Sequence, residues 1–162
     1  MHIAIVGRGS SSRLTPTQAP GWQVWAMPWC PPGRVDRYFD IHARRHRQRY
    51  GGHGYEGYLA GLPNLTMLHD PLPHAALYPL AAVRAQVGPG VLTSSVAYML
   101  AAAILDRPAV IGLYGVEMVT TDEYRRQRPA IHYLLGLAHG VGIGVHLPPG
   151  CRLFQPAPDY GA

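Results

Sequence analysis

The sequence predicts a single α/β domain over residues 1–162, a Rossmann-like three-layer fold with a mostly parallel sheet. Three observations carry that prediction. Strand-length apolar runs alternate with helix-length segments, the order that βαβ units impose. Runs such as Ala109 to Leu113 are apolar at every position, as strands covered on both faces are. The stretch Thr93 to Met118 holds one whole unit: a polar turn, a helix, a strand and a loop that carries a carboxylate.

In chain order, His2 to Val6 is the first strand, ended by Gly7-Arg8-Gly9-Ser10-Ser11-Ser12. Pro16 and Pro20 keep any helix after that loop short. Trp22 to Met27 is the second strand, broken by Pro28, Pro31, Pro32 and Gly33, and Val35 to His42 is the third. Ala43 to Tyr50 is an arginine run. Gly51 to Gly61 reads as a loop with a short helix, and Asn64 to Leu68 as a strand. Asp70 to Pro79 is an ordered connection into a helix over Leu80 to Val87. Thr93-Ser94-Ser95 offers capping hydroxyls to a helix over Val96 to Leu105. That helix is apolar on nearly every face, so it is expected to be covered on most sides. Asp106-Arg107-Pro108 stops it, because proline disfavours the helical conformation in the residue before it. After the strand Ala109 to Leu113, Thr120 to Pro129 reads as a polar loop. Pro129 suits a helix start, followed by helical spacing from Ile131 to His139. Gly142 to Val145 is the last strand.

Composition bounds the function. At 162 residues, with 48% hydrophobic and 14% charged, the chain can bury a core and does not read as disordered. Two cysteines, Cys30 and Cys151, make neither a disulfide framework nor a zinc set. No stretch approaches a membrane span and none reads as a signal peptide, so a cytoplasmic protein is expected. All 14 basic residues are arginine and the formal charge is +5, which admits an anionic partner without requiring one. The run with Arg44, Arg45, Arg47 and Arg49 is a solvated face or an attractor for a nucleic-acid backbone. The tyrosines and tryptophans can serve an oligomer surface or fill the core.

Ligands of open α/β sheets bind where strands end and loops begin. That rule singles out Gly7, Arg8, Gly9, Ser10 and Ser11 after the first strand, where glycine admits close approach of backbone N–H groups to a phosphate. The loop lacks the third glycine of the dinucleotide fingerprint and the lysine of a P-loop. Thr93, Ser94 and Ser95 stand at a helix start, and Gly115 and Glu117 follow a strand. Asp40 and His42 are two residues apart and share one side of a strand, as a substrate-touching acid–base pair or a structural hydrogen bond. A metal pair is the less favoured alternative, since no third ligand stands at readable spacing, so a divalent metal is admitted but not indicated. Tyr124, Arg125 and Arg128 lie in the polar segment before Pro129, where the arginines could neutralise a leaving group. His132 is either a base or a helix histidine with an ordinary hydrogen bond.

Taken together, G-x-G-x-S, the strand near Trp25, T-S-S-V-A-Y-M and I-G-L-Y-G-V-E resemble the nucleotide-binding core of bacterial CMP-sialic-acid sialyltransferases. Relatives of these include 6-hydroxymethylpterin diphosphokinase-like proteins. Short bacteriophage proteins that share F-D-I-H, T-S-S-x-A-Y-M-L, G-L-Y-G-V-(D/E)-M and E-Y-x-x-Q-R-P are more similar still, over most of the chain. The resemblance implies Gly7, Gly9 and Ser11 near phosphate, Thr93 to Ser95 near phosphate or sugar, and Gly115 and Glu117 near base or ribose. Arg8 stands where the sialyltransferases favour asparagine, and Glu117 where they have aspartate. Their catalytic histidine falls at or near Arg125, and arginine stays protonated, so it is no base. Transfer of sialic acid itself is therefore not expected. What is expected is a small phage-type transferase using a nucleotide or nucleotide-sugar donor, CMP-type favoured, for glycosyl or phosphoryl transfer. Asp40, His42 or Glu117 would be its base. The rivals are a non-catalytic nucleotide sensor or sponge and a virion component on the same fold.

Overall fold

The first strand, β1 (His2–Val6), splits its side chains between two cores. Ile3 and Ile5 join the larger one, while Ala4 and Val6 join the smaller. That division holds across the sheet in a computed structural model of the chain, which describes residues 1–29, 33–52, 54–118 and 121–154. The partners of β1 are β2 (Trp22–Ala26) and β6 (Val110–Tyr114), with Val6 opposite Ala26 on one side and Tyr114 on the other. Outside them lie β3 (Arg37–Asp40), β4 (Leu65–Met67) and the two-residue β5 (Ala76–Leu77) on one flank, and β7 (Gly144–His146) on the other. The order is β5-β4-β3-β2-β1-β6-β7, and every described pairing is parallel. This is the Rossmann-like α/β arrangement read from the sequence.

The helices fill the two outer layers unequally. On one face lie α3 (Leu80–Val87), α4 (Ser95–Asp106) and α5 (Asp122–Gly140), packed on Ile3, Ile5, Trp25, Phe39, Ile111 and Leu113. Eight of the twelve residues of α4 are buried, which answers to its all-round apolar sequence. The opposite face carries α1 (Arg44–Gly51), α2 (Tyr55–Ala60) and a 3-10 turn, Ser10–Leu14. On this face Ala4, Val6, Val24 and Ala26 form a small core with Tyr114, and Tyr55 and Leu59 of α2 pack on Leu65 and Met67. Gly112 in β6 leaves room for the rings of Tyr114 and Trp22, which a Cβ would crowd at 2.7 and 3.2 Å.

Several boundaries differ from the sequence reading. The largest correction is at α5. Residues 121–128, expected as a loop, cap and begin the helix, and Pro129 lies inside it instead of at its start. Thr121 accepts the Tyr124 N–H at 3.2 Å, and Asp122 and Glu123 suit the positive end of the helix dipole. The arginine run is a helix. Strand β3 ends at Asp40, so His42 lies past it in the loop. Leu80–Val87 matches the sequence reading, and α4 extends it by one residue at each end. Cys30, Pro31, Pro32 and Thr120 lie outside the described residues. No helix among the described residues is long and apolar enough to cross a membrane.

Candidate functional site

Strands β1 to β5 step outward in one direction and β6 and β7 in the other, so the winding reverses between β1 and β6. Loops leaving neighbouring strands at such a point diverge and open a crevice at their carboxyl ends. Here the crevice is a cleft of about 600 Å³, within the range of small-molecule sites.

Its floor is the junction of two glycine-bearing loops. Gly7 N–H donates to the Tyr114 carbonyl at 2.7 Å and Gly9 N–H to the Gly115 carbonyl at 2.8 Å. Gly115 has φ +69, and a Cβ there would stand 2.7 Å from the Gly7 carbonyl oxygen, so the approach depends on glycine on both sides. Glu117 then folds back onto the first loop. Its Oε1 accepts from the Ser11 N–H at 3.0 Å and from Ser11 Oγ at 2.6 Å, and Ser11 Oγ itself accepts from Gly115 N–H at 2.8 Å. Its Oε2 lies where a Gly9 Cβ would be, 1.4 Å from that point. A carboxylate of the chain itself thus occupies the seat the sequence offered to a phosphate.

A second wall comes from α4. Ser94 is its N-cap: Oγ accepts the Ala97 N–H at 3.2 Å and the carbonyl accepts the Tyr98 N–H at 3.0 Å. The N–H groups of Ser95 and Val96 therefore have no acceptor within the helix, and both residues line the cleft beside Thr93. Unpaired N–H groups and the helix dipole together favour an anion.

The same cleft is reached by a carboxylate–imidazole pair. Asp40 is buried, its side chain 0% exposed, and its Oδ1 takes both the His42 N–H at 2.9 Å and Nδ1 at 2.8 Å. A carboxylate partner places the proton on Nδ1 and leaves Nε2 as an acceptor. The imidazole is 49% exposed and lines the cleft. Among the described residues, Asp40 Oδ2 is buried without a hydrogen-bond partner. The Tyr55 phenol lies near that carboxylate; burial, then the charge of Asp40, pushes it up, so it stays protonated. Arg47, buried in α1, donates to the carbonyls of His42 at 2.9 Å and His69 at 3.0 Å and so fixes the loop that carries the imidazole.

Not every residue chosen from sequence comes to the cleft. Gly7, Arg8, Gly9, His42, Thr93, Ser94, Ser95, Gly115, Glu117 and Tyr124 line it. Asp40 stands behind His42, and Ser11 is spent on Glu117. Ser10 is exposed and is not part of the lining. Arg125 pairs with Asp122 at 3.4 Å on the exposed side of α5. Arg128 donates to the carbonyls of Leu153 and Arg152, while His132 Nε2 lies 3.0 Å from the Leu153 carbonyl and its ring stacks on Phe154. Arg128 and His132 therefore hold the C-terminal segment. Nor is the arginine run a free strip: Arg47 is buried, and Arg44 is bonded to Glu56 at 3.1 Å.

Sequence reasoning missed an aromatic wall. Trp29, just past β2, stacks on Tyr55 and Tyr58 of α2 at ring separations of 4.9 and 5.2 Å. Trp29 and Tyr55 line the cleft. The available signal was position, since Trp29 leaves a strand at the same rim as Gly7 and Gly115. Among the described residues, no group of three or more His, Cys, Asp or Glu side chains is placed to hold a metal ion. No protein-family model, no curated protein and no solved structure matches the chain.

Proposed function

We propose that the chain binds a nucleotide-activated donor in the switch-point cleft and transfers its activated group to an acceptor hydroxyl. The observation that carries this reading is that one cleft is lined both by the start of α4 and by His42 of the Asp40–His42 pair. Helix N–H groups of Ser95 and Val96 suit a leaving phosphate, and the Asp40–His42 pair suits a base. The resemblance of the T-S-S motif to nucleotide-binding cores supports the same ligand class.

In the proposed step, the acceptor oxygen attacks the transferred group as its proton passes to His42 Nε2. The bond from that group to the donor phosphate breaks, and its electron pair stays on the phosphate oxygen. The α4 N–H groups and Arg8 stabilise the charge that develops there. Asp40 acts through the ring, holding its tautomer and supporting the imidazolium once formed. Charged side chains on the cleft are Arg8 against Glu117 and Glu123, besides the titratable His42. That balance disfavours a triphosphate and suits a leaving group with one phosphate.

The test follows release of free nucleotide from CMP-, UDP- and GDP-sugars. For the donor that turns over, Asp40→Asn is expected to lower turnover by about 100-fold or more while donor affinity changes little. His42→Ala should behave alike. Turnover by both variants equal to that of the unaltered protein would rule the pair out as the base. Donor binding without turnover by the unaltered protein would favour a sensor or sponge.

A further inference from the structure

We propose that Trp29 is a stacking platform for the planar base of the ligand, a subsite that rests on the nucleotide reading of the cleft. Trp29 is 53% exposed, whereas Trp25, four residues earlier, is 1% exposed in the core. One face of its indole is already taken. It lies nearly parallel to Tyr55, at 13° and 4.9 Å between centroids, and to Tyr58, at 21° and 5.2 Å. The platform is braced from below. Tyr55 is only 4% exposed, and the Tyr58 hydroxyl donates to the Pro28 carbonyl at 2.5 Å, tying α2 to the exit of β2. A large flat ring, half exposed and braced by two tyrosines, thus lines the cleft. Binding on it costs little ordering of the protein, because the ring is already held. Flat heteroaromatic rings stack on such faces whatever their hydrogen-bonding edge.

The aromatic wall also touches the chemistry. Tyr55 lies under Trp29 on one side and near the Asp40 carboxylate on the other. A base seated on Trp29 would therefore lie on the same wall as the Asp40–His42 pair, with the α4 N–H groups lining the same cleft for its phosphate.

Fluorescence and affinity test this together. Trp25 is buried and Trp22 packs on Tyr114 in the smaller core, so a ligand in the cleft reports chiefly through Trp29. With the nucleotide that binds the unaltered protein, indole emission is expected to be quenched. Trp29→Phe should lose the quench yet bind within about threefold, because a phenyl ring still stacks. Trp29→Ala should weaken binding on the order of tenfold or more. Ribose 5-phosphate, which has no base, should bind the unaltered protein and Trp29→Ala equally. Nucleotide binding that is equal in Trp29→Ala and the unaltered protein would overturn the platform and leave the nucleotide reading standing. Absence of nucleotide binding to the unaltered protein would remove both.

Discussion

At Gly9 the space a side chain would need is filled by another residue's carboxylate. The Glu117 oxygen there is held by the Ser11 N–H and hydroxyl on its partner oxygen, so it cannot yield without breaking two charge-assisted bonds. Gly9→Ala is therefore expected to destabilise the protein by about 1–3 kcal/mol, the usual cost of breaking such bonds. Urea unfolding measures it. In a Glu117→Ala background most of that cost should vanish, since the next atom against the new methyl, the Gly115 carbonyl oxygen, stands at 3.0 Å. Equal cost in both backgrounds would mean that the carboxylate is not what Gly9 makes room for. The same contact changes what the glycine loop means. G-x-G-S-S after a strand reads as a phosphate cradle, and the composition of the loop cannot show that a glutamate 106 positions away from Ser11 closes it.

Among the elements, α5 shows where sequence was legible and where it was not. Its buried positions begin at Ile131 and continue through Leu134, Leu135 and Ala138, the apolar spacing visible in the sequence. The preceding two turns are polar and exposed, with no periodic signal, and Pro129 reads locally as a start. What sets the true start is the Thr121 cap, helped by acidic residues in the first turn, and these outweigh the missing N–H of one proline. The early turns bring Glu123, Tyr124 and Gln127 to the cleft. Pro129→Ala should restore the hydrogen bond to the Arg125 carbonyl and raise stability by about 1–2 kcal/mol, less than the full interior cost because the site is exposed. An unchanged urea midpoint would show that the helix has relaxed around the ring. By contrast, α3 and α4 were readable almost to the residue, because the apolar run and the stop signal agree in both, and in α4 the Ser94 cap agrees as well. The Asp40–His42 contact was half legible. Spacing brought the two together, but the loop past β3, steadied by Arg47 from inside the arginine run, makes the bond.

For the molecule as a whole, parallel strands and one reversal of winding decide where chemistry can occur. Among the described residues, seven strands feed their carboxyl ends to one rim, and the winding reverses between β1 and β6, where the loops part. Gly7, Gly115, the start of α4 and the end of β3 come from segments far apart in sequence, yet all line that opening or stand directly behind it. The sequence showed six of the strands and their order along the chain, and missed the two-residue β5 inside what read as a connection. It could not show the order across the sheet, because neighbours in a parallel sheet are chosen by crossover packing, not by local residues. The most direct test is the melting temperature of the unaltered protein and of Ser95→Glu against CMP, UMP, GMP, AMP and their nucleotide sugars. A carboxylate in the first turn of α4 suits the helix dipole, so the variant should fold with undiminished stability while repelling a phosphate. The expected result is a concentration-dependent rise with at least one nucleotide for the unaltered protein, by mass action, and none for Ser95→Glu. No rise with any nucleotide, or an equal rise in the variant, would contradict a phosphate seat at the start of α4.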